Sequence, residues 1–499
     1  MGVIAKQSVR GTIVTYLGIG VGFVTTFFVL TRFLTTEEIG LARVLIDAAT
    51  LFIGLAQLGT TSSIIRFYPY FHEKEDETHG FFFWTVAVPL IGFVIFGILY
   101  CVCHVPLAAW FGEKSPLFLD YYYYVIPLAF FMLYQLVFET NANVLMQIVV
   151  PKAVRELYVR VGLLVVYLLY AFRVLSLDGL VVGICINYAF AAFINLAYLI
   201  SLRKISWQVD WQFLKDNKVL VRRYLTYTGF LIVSALATTV APLLSSFFIT
   251  AKMGLDYTGV FAIATYMAAL VGVPYRSLTA IASPQLAKAI KEQNRDECSR
   301  LIQQVTGTML LVGGFILLAI WVNIDLIFTV LPNGQTYAVA RYVVLLLGVS
   351  QLILATFTIC LTALNYSRYY AFSLLSSLIL TGSALLLNNL LIPLYGINGA
   401  ALSNLISYAL YGILTVAALV PLCRLKIVNR QWGYTLLLLT VIFGLNTLWN
   451  CYIPAVNVWV DSLLRTVVLL GGGLWIAYRG KLSPEINRFM DTYILKRLL

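Results

Sequence analysis

Residues 371–421 have the sequence AFSLLSSLILTGSALLLNNLLIPLYGINGAALSNLISYALYGILTVAALVP, and this stretch decides the fold class. It contains two apolar segments, Ala371 to Ile392 and Asn398 to Pro421, without a charged residue in either. Because roughly 20 helical residues cross a hydrocarbon core of about 30 Å, each segment is long enough to span a membrane. Lipid does not tolerate unpaired backbone groups, and the strands of a membrane barrel would be shorter and alternate in polarity. These segments are therefore predicted to be transmembrane helices.

Similar segments recur along the whole chain. Of the 499 residues, 61% are hydrophobic and 11% are charged, whereas about a quarter of the residues in a soluble domain are charged. The sequence predicts an all-α polytopic membrane protein with about fourteen transmembrane helices and short connections. The predicted spans are Thr12 to Phe33, Gly40 to Ser63, Phe81 to Cys103, Tyr121 to Phe138, Val159 to Phe172, Gly179 to Leu202, Tyr224 to Thr250, Gly259 to Ser283, Leu301 to Val322, Ala340 to Leu364, Ala371 to Ile392, Asn398 to Pro421, Tyr434 to Ile453, and Ser462 to Tyr478.

The distribution of Lys and Arg among the predicted loops indicates the orientation. With the N-terminus in the cytoplasm, about 26 of the 34 Lys and Arg residues fall in cytoplasmic segments or at the adjoining span ends, and about six in outside loops or at the span ends next to them. We therefore expect both termini to be cytoplasmic. The net charge of +12 follows from this topology and suits anionic lipid headgroups, so we predict no nucleic-acid partner.

Near-constant offsets between residues suggest an internal repeat. Gly40 and Gly259 each open a predicted span and lie 219 residues apart, and Asn187 and Asn404 lie 217 apart within later spans. Two copies of six spans would be parallel repeats, although a few such matches also arise by chance. The predicted organisation is two pseudo-symmetric six-helix lobes plus two C-terminal helices. The boundaries are 1–202 for the N-terminal lobe, 203–223 for a basic cytoplasmic linker, 224–421 for the C-terminal lobe, and 422–499 for the last two helices and a cytoplasmic tail.

Three short motifs point to a family. Residues 32–40, RFLTTEEIG, resemble the Arg-x-Leu…(aromatic)-Gly signature between the first two spans of polysaccharide (O-antigen, Wzx-type) flippases of the MOP exporter superfamily, with Ile39 in place of the usual aromatic residue. Residues 55–59, LAQLG, followed by Ile65-Arg66-Phe67, are similar to the end of that family's second span. Residues 395–401, YGINGAA, look like its Gly-x-x-Gly-Ala-Ala stretch before span twelve.

The resemblance implies a function and a location. A flippase of this family would translocate an undecaprenyl-diphosphate-linked oligosaccharide from the inner to the outer leaflet of a bacterial inner (cytoplasmic) membrane by alternating access. The sugar head would pass through a polar cavity while the polyprenyl tail stays in membrane lipid. The implied partners are the lipid-linked oligosaccharide, membrane lipid, and polysaccharide polymerase and chain-length machinery.

Two other functions remain open. The first is an ion-coupled multidrug or small-solute antiporter of the same superfamily, which usually has twelve spans and intramembrane carboxylates. The second is a membrane polysaccharide polymerase or ligase, which would need catalytic residues on a large outer loop. The longest predicted outer loop, about His104 to Asp120, offers only Glu113 and Asp120 as acids. The sequence contains no Gly-x-x-x-x-Gly-Lys-Ser/Thr loop, and we predict no enzyme activity, cofactor or metal.

Charged residues inside predicted spans are the candidate transport residues, because a charge in a membrane usually faces a cavity or a partner. Arg43 and Asp47 are four residues apart in the second span and so share a helix face. Arg43 is predicted to contact the diphosphate or acidic sugars, and Asp47 to hold Arg43 or take up a proton for ion coupling. A self-contained pair with Arg43 extending toward the interface is the alternative.

Arg276 lies toward the cytoplasmic end of the eighth span. Its planar guanidinium suits the phosphate oxygens of a substrate that enters from the cytoplasm. A boundary arginine that extends to the lipid headgroups is an equally simple interpretation.

Three further residues complete the candidate set. Glu139 closes the fourth span near the cytoplasm and is predicted to act in gating by pairing with Arg66 or Arg276, with interfacial capping as the alternative. Arg66 is a candidate for substrate binding. Arg32 matches the family motif, but an anchor at the outer boundary explains it equally well.

Overall fold

The computed structural model describes residues 3–71, 80–202, 239–367, 371–453 and 457–483, together with residues 207, 222, 369, 487 and 491. Every regular element in these residues is a helix, which confirms the predicted all-α fold class. The chain divides into two compact units, Met1–Ala262 and Ile263–Leu499. The boundaries of the predicted lobes stay predictions, because most of the predicted linker 203–223 lies outside the described residues.

The first unit is built around one central helix, α7, which packs against α2, α3, α4 and α10. Its side chains Leu133 and Val137 are fully buried. The helices of this unit are α1 (Val3–Val24, continued by π-helical Thr25–Leu30 and by Thr31–Phe33), α2 (Thr36–Ala56), α3 (Thr60–Phe71), α4 (Phe81–Val102), α5 (His104–Phe111), α6 (Pro116–Asp120), a 3-10 turn (Tyr122–Tyr124), α7 (Val125–Val144), α8 (Val149–Ala153, continued by π-helical Val154–Tyr158), α9 (Val159–Ala171), α10 (Leu177–Ser201) and α11 (Thr239–Met253). The boundary between the units falls within α12 (Leu255–Ala269).

The second unit contains a helical hairpin and a buried apolar cluster. Its helices are α13 (Val273–Lys291, preceded by a 3-10 turn Leu270–Gly272), α14 (Arg295–Val322), α15 (Ile324–Val330), α16 (Gly334–Ala338), α17 (Arg341–Tyr366), α18 (Ala371–Tyr395), α19 (Ile397–Cys423), α20 (Arg430–Tyr452), α21 (Val458–Arg465, continued by π-helical Thr466–Gly471) and α22 (Gly472–Arg479). The hairpin joins α18 and α19 through Gly396, whose φ of 58° favours glycine. The apolar cluster includes Leu286, Ile302, Ile359 and Leu419, from α13, α14, α17 and α19.

Twelve helices in the described part of the chain are long and apolar enough to cross a membrane. These twelve helices correspond to twelve of the fourteen predicted spans, all but the fifth and the seventh. The protein is therefore a multi-pass membrane protein. The fifth corresponds to α9, which is short, and its helical extension through α8 is not apolar because it carries Lys152, Arg155 and Glu156. Of the seventh, the part before Thr239 lies outside the described residues, and the rest is the apolar helix α11.

The second predicted span differs from the structure at both ends. α2 begins before Gly40 because a capping box forms, in which the backbone N of Glu38 donates to Thr35 Oγ1 at 3.2 Å and the backbone N of Thr35 donates to Glu38 Oε2 at 2.9 Å. The span is also broken, because Leu58 and Gly59 have φ angles of 47° and 67°. Left-handed residues end a helix, so α2 and α3 are separate helices joined by the LAQLG motif.

Within the first unit, α2 and α12 cross at two glycines. A Cβ on Gly40 would overlap the carbonyl oxygen of Leu255, and a Cβ on Gly259 would overlap the carbonyl oxygen of Thr36. The two contacts are reciprocal, because the two glycines are 219 residues apart and the two residues that supply the carbonyl groups, Thr36 and Leu255, are also 219 residues apart. The Thr36 hydroxyl also donates to Asp256 Oδ1 at 2.5 Å. The offset found in the sequence thus corresponds to a local two-fold contact between these helices.

The Thr36–Asp256 hydrogen bond should make a small, measurable contribution to stability. Thr36→Val keeps the shape of the side chain but removes its hydroxyl, and we expect the free energy of unfolding to fall by about 1 kcal/mol, the usual net value of a hydrogen bond. Unfolding of the purified protein in detergent measures this. In a double-mutant cycle with Asp256→Ala, which removes the acceptor, the coupling should be of the same size. Fully additive effects would show that the bond does not stabilise this crossing.

Candidate functional site

The predicted Arg43–Asp47 pair forms on one face of α2. Arg43 Nε donates to Asp47 Oδ2 at 2.9 Å, and Asp47 is buried while Arg43 is partly exposed. Because α2 begins at Thr36 rather than at Gly40, Arg43 lies about 10 Å along the helix from its first residue. The i, i+4 spacing explains the pairing.

A second group of charges, the charge cluster, consists of Glu139, Arg155, Glu156 and Arg160. Arg155 Nη1 donates to Glu139 Oε1 at 2.6 Å, and Arg155 Nη2 donates to Glu156 Oε1 at 3.2 Å. Arg160 Nη2 donates to Glu156 Oε2 at 3.1 Å. Both carboxylates are buried, whereas Arg155 is half-exposed. Three elements supply these side chains: α7, the π-helical stretch after α8, and α9.

The π-helical stretch Val154–Tyr158 positions two members of the charge cluster. It carries Arg155 and Glu156 and leads directly into α9, whose Arg160 lies four residues after Glu156. π-Helical turns are rare and occur often at functional sites. The Glu156–Arg160 pair follows from the sequence spacing, whereas the contact with Glu139 on α7 joins two different helices.

Helix α1 approaches the charge cluster closely because it carries two glycines there. A Cβ on Gly18 would overlap the carbonyl oxygen of Glu156, and a Cβ on Gly22 would lie 3.4 Å from Arg160 Nη1. α1 thus covers one side of the segment that carries Glu156 and Arg160.

The formal charges of the cluster balance, with two carboxylates and two guanidinium groups. Glu156 has a hydrogen bond at each carboxylate oxygen, but Glu139 Oε2 is buried and has no partner among the described residues. An ion pair buried in a protein is held only if its partners compensate the loss of hydration. Among the described residues, Arg155 is therefore the residue that hydrogen-bonds the Glu139 carboxylate.

Arg155, Glu156 and Arg160 were not predicted from the sequence as site residues. Arg155 lies between the fourth and fifth predicted spans, where a basic residue ordinarily indicates a cytoplasmic connection. Two signals could have identified them. Arg160 falls inside the predicted fifth span, Val159 to Phe172, and Glu156 precedes it at i, i+4 spacing.

The other predicted residues lie on separate elements. Arg32 is exposed, and its guanidinium carbon is 5.4 Å from the centroid of the Phe33 ring. Arg66 lies on α3 and Arg276 on α13, but their side chains are outside the described part of the structure. The predicted pairing of Glu139 with either of them stays a prediction, and in this structure Glu139 binds Arg155.

Comparison of the structure with solved structures finds membrane transporters. The chain is similar to the lipid II flippase MurJ in an inward closed conformation, with 11% identity and a TM-score of 0.71, over 95% of this chain and 99% of that one. It is similar to a mutant of the Vibrio cholerae MATE transporter VcmN, with 15% identity and a TM-score of 0.57, over 83% and 98% of the two chains. An outward-facing multidrug resistance MATE family transporter of the MOP superfamily has 11% identity and a TM-score of 0.58, over 88% and 97%.

Comparison of the sequence identifies the family. None of the curated protein sequences matches this chain. Residues 5–289 match the model of a family described as polysaccharide biosynthesis protein, and this match covers more than half of the 499 residues. The likeness to the solved structures, at these low identities, shows the fold alone. The protein therefore belongs to the polysaccharide biosynthesis protein family and has the fold of MOP-superfamily transporters.

Proposed function

We propose that this protein is a flippase that moves a lipid-linked oligosaccharide, joined to its lipid through a diphosphate, from the inner to the outer leaflet of a bacterial cytoplasmic membrane. The family match and the fold shared with a lipid II flippase support a transporter of lipid-linked sugars. The bias of Lys and Arg toward one set of loops supports the orientation, with both termini in the cytoplasm.

One observation carries the proposal: the buried carboxylates described in the first unit are already paired with arginine. Asp47 is paired with Arg43, and both carboxylates of the charge cluster are paired with arginines. A site for an organic cation would need carboxylates that are not neutralised in this way. Guanidinium groups that are partly exposed suit an anion instead, because their planar donors match two phosphate oxygens. The arrangement therefore favours a diphosphate over a cationic drug.

In this proposal the protein works by alternating access, so that the binding residues are open first to one side of the membrane and then to the other. Arg43 binds the diphosphate, and Asp47 orients its guanidinium. Arg32, Arg66 and Arg276 are proposed as further contacts of the anionic head group, because each carries a guanidinium on an element at or within a predicted span. Glu139 and Asp47 are proposed to act in gating or ion coupling. The sugar repeat and the polymerase partners stay expectations from the family resemblance.

Transport by the purified protein tests the proposal. The protein is reconstituted into vesicles that contain a fluorescent undecaprenyl-diphosphate oligosaccharide, and exposure of the sugar on the opposite leaflet is followed with a membrane-impermeant quencher. We expect quenching to become complete only in vesicles that contain the protein. Vesicles that take up an organic cation, but do not translocate the lipid, would contradict the proposal and support a drug antiporter.

Variants of the α2 pair should lose transport without losing the protein. Arg43→Ala removes the proposed contact with phosphate, and a charge-assisted hydrogen bond of about 1.5–3 kcal/mol corresponds to roughly a 10- to 100-fold loss of rate. Asp47→Asn should weaken transport because Arg43 is no longer held. The quenching assay measures both variants at equal protein abundance.

A matched control for the α2 variants is Arg300→Ala. Arg300 also pairs with a carboxylate on its own helix, Glu297, at 2.7 Å, but this pair is exposed at the start of α14. The Arg300→Ala variant should therefore leave the transport rate unchanged. Normal transport by both Arg43→Ala and Asp47→Asn would rule out a role of this pair in binding.

A further inference from the structure

Within the charge cluster, Arg155 is the member that a ligand can reach most easily. Its side chain is 47% exposed, whereas the side chains of Glu139 and Glu156 are 6% and 9% exposed. Its donors are used by two carboxylates, at 2.6 Å for Glu139 and at 3.2 and 3.3 Å for Glu156. An anion that reaches Arg155 therefore competes with these carboxylates for the same N–H groups.

Glu156 and Glu139 differ in the hydrogen bonds that they retain if Arg155 binds another anion instead. Glu156 retains its second hydrogen bond, from Arg160. Glu139 loses the bond at Oε1, and its Oε2 has no partner among the described residues. Removing one partner of a buried ion pair is strongly destabilising, because the remaining charge is uncompensated. Protonation of Glu139 would remove this charge.

The surroundings of Glu139 contain few other charges that could replace Arg155. Among the described residues, the charged groups that act most strongly on Glu139 are Arg155, Glu156 and Lys152. Among the helices packed against α7, α4 has no charged residue, and α10 has only Asp178, at the end opposite to Glu139. The other charged residues on these helices are Glu37, Glu38, Arg43 and Asp47 on α2, and Arg66 on α3, whose side chain is outside the described residues.

We propose that Arg155 binds a phosphate group of the substrate and that Glu139 takes up a proton when Arg155 leaves it. This inference rests on the proposed function for the nature of its ligand, a diphosphate esterified at both ends. A hydronium ion transfers its proton to the Glu139 carboxylate, which becomes a neutral carboxylic acid, and release of the substrate reverses the transfer. The bound state then holds one more proton than the free state, so the affinity for the diphosphate increases as the pH falls.

Binding measurements on the full-length protein test this coupling. The protein is placed in phosphatidylcholine nanodiscs, so that no anionic lipid headgroup competes for Arg155. The probe is a short-chain prenyl diphosphosugar, whose phosphates each carry an ester and keep a constant charge near neutral pH. Over the pH range in which Glu139 is ionised in the free protein and protonated in the complex, we expect the Kd to rise about tenfold per pH unit, as one linked proton requires. Calorimetry in two buffers of different ionisation enthalpy should give about one proton taken up per bound probe.

Two Glu→Gln variants of the same cluster separate a coupled proton from a structural effect. Glu139→Gln should bind the probe with a Kd that does not depend on pH and without proton uptake. Glu156→Gln is the matched control and should keep the pH dependence, because Glu139 is unchanged. Arg155→Ala should lose most of the affinity and the proton uptake together.

The inference is overturned if Glu139→Gln keeps the pH dependence of wild type, or if Arg155→Ala binds the probe as wild type does. Where a variant does not fold, calorimetry of the wild-type protein decides, since binding without proton uptake contradicts the coupling. The vesicle assay distinguishes this failure from that of the proposed function. A protein that translocates the lipid-linked oligosaccharide but takes up no proton on binding disproves only the role of Arg155 and Glu139.

Discussion

Gly40→Ala is expected to prevent normal packing of the first unit, with little or no folded protein recovered from membranes. The added Cβ would overlap the carbonyl oxygen of Leu255, which belongs to the backbone and cannot rotate away. α2 and α12 would have to separate, and overpacking against a rigid neighbour costs about 3 kcal/mol or more. Because a folded protein is stable by only about 5–15 kcal/mol, this is a large part of the total. The yield of monodisperse protein in detergent and its thermal unfolding midpoint measure the effect.

Gly259→Ala should have the same effect, because its Cβ would overlap the carbonyl oxygen of Thr36 at the same crossing. The double variant should be little worse than either single variant, since helices that have separated for one Cβ also accept the other. Gly20→Ala is the matched control, because no described atom outside its own helix lies within 4 Å of the position of its Cβ. Normal yield and stability for Gly40→Ala would show that the crossing is not as close as described.

The second large effect is expected at a buried ion pair in the second unit. Asp461 and Arg465 pair on α21, and their side chains are only 8% and 7% exposed. Trp449 Nε1 donates to Asp461 Oδ1 at 2.9 Å, and Arg465 also donates to Asn450. Asp461→Leu removes the carboxylate paired with a buried guanidinium, and we expect the free energy of unfolding to fall by about 3–5 kcal/mol. Unfolding in detergent gives the value.

The double variant Asp461→Leu/Arg465→Met provides the control for this prediction. It removes both charges together, and replacing a whole buried ion pair by apolar residues is often neutral. We expect it to be more stable than Asp461→Leu. An exposed ion pair contributes less to stability, so Arg300→Ala should lower the free energy of unfolding by less than about 1 kcal/mol. If Asp461→Leu also costs less than this, Arg465 has solvent or another partner when the carboxylate is absent.

The extent of the helices could be predicted well from local sequence, and their ends less well. The hydropathy of a span depends only on its own residues, so most of the predicted spans correspond to helices of the structure. The start of α2 depends on hydrogen bonds between Thr35 and Glu38, and its end on left-handed residues at Leu58 and Gly59. These are polar or backbone features within an apolar stretch, and hydropathy does not detect them.

In the candidate site, too, one contact could be predicted from local sequence and another could not. The Arg43–Asp47 pair follows from two residues four apart on one helix, so the sequence alone determined it. The partner of Glu139 was not predictable, because Arg155 lies 16 residues away on another helical segment. Arg155 also carried the ordinary signal of a cytoplasmic loop residue.

By itself, the sequence determined that the chain is a helical multi-pass membrane protein with arginines inside its apolar segments, because membrane insertion depends on the summed polarity of each segment. The tertiary structure decided which charges meet, since the contact of Glu139 with Arg155 requires α7 and the π-helical stretch to pack at one particular rotation. It also decided that Gly40 and Gly259 face each other, because a contact between helices depends on both surfaces at once.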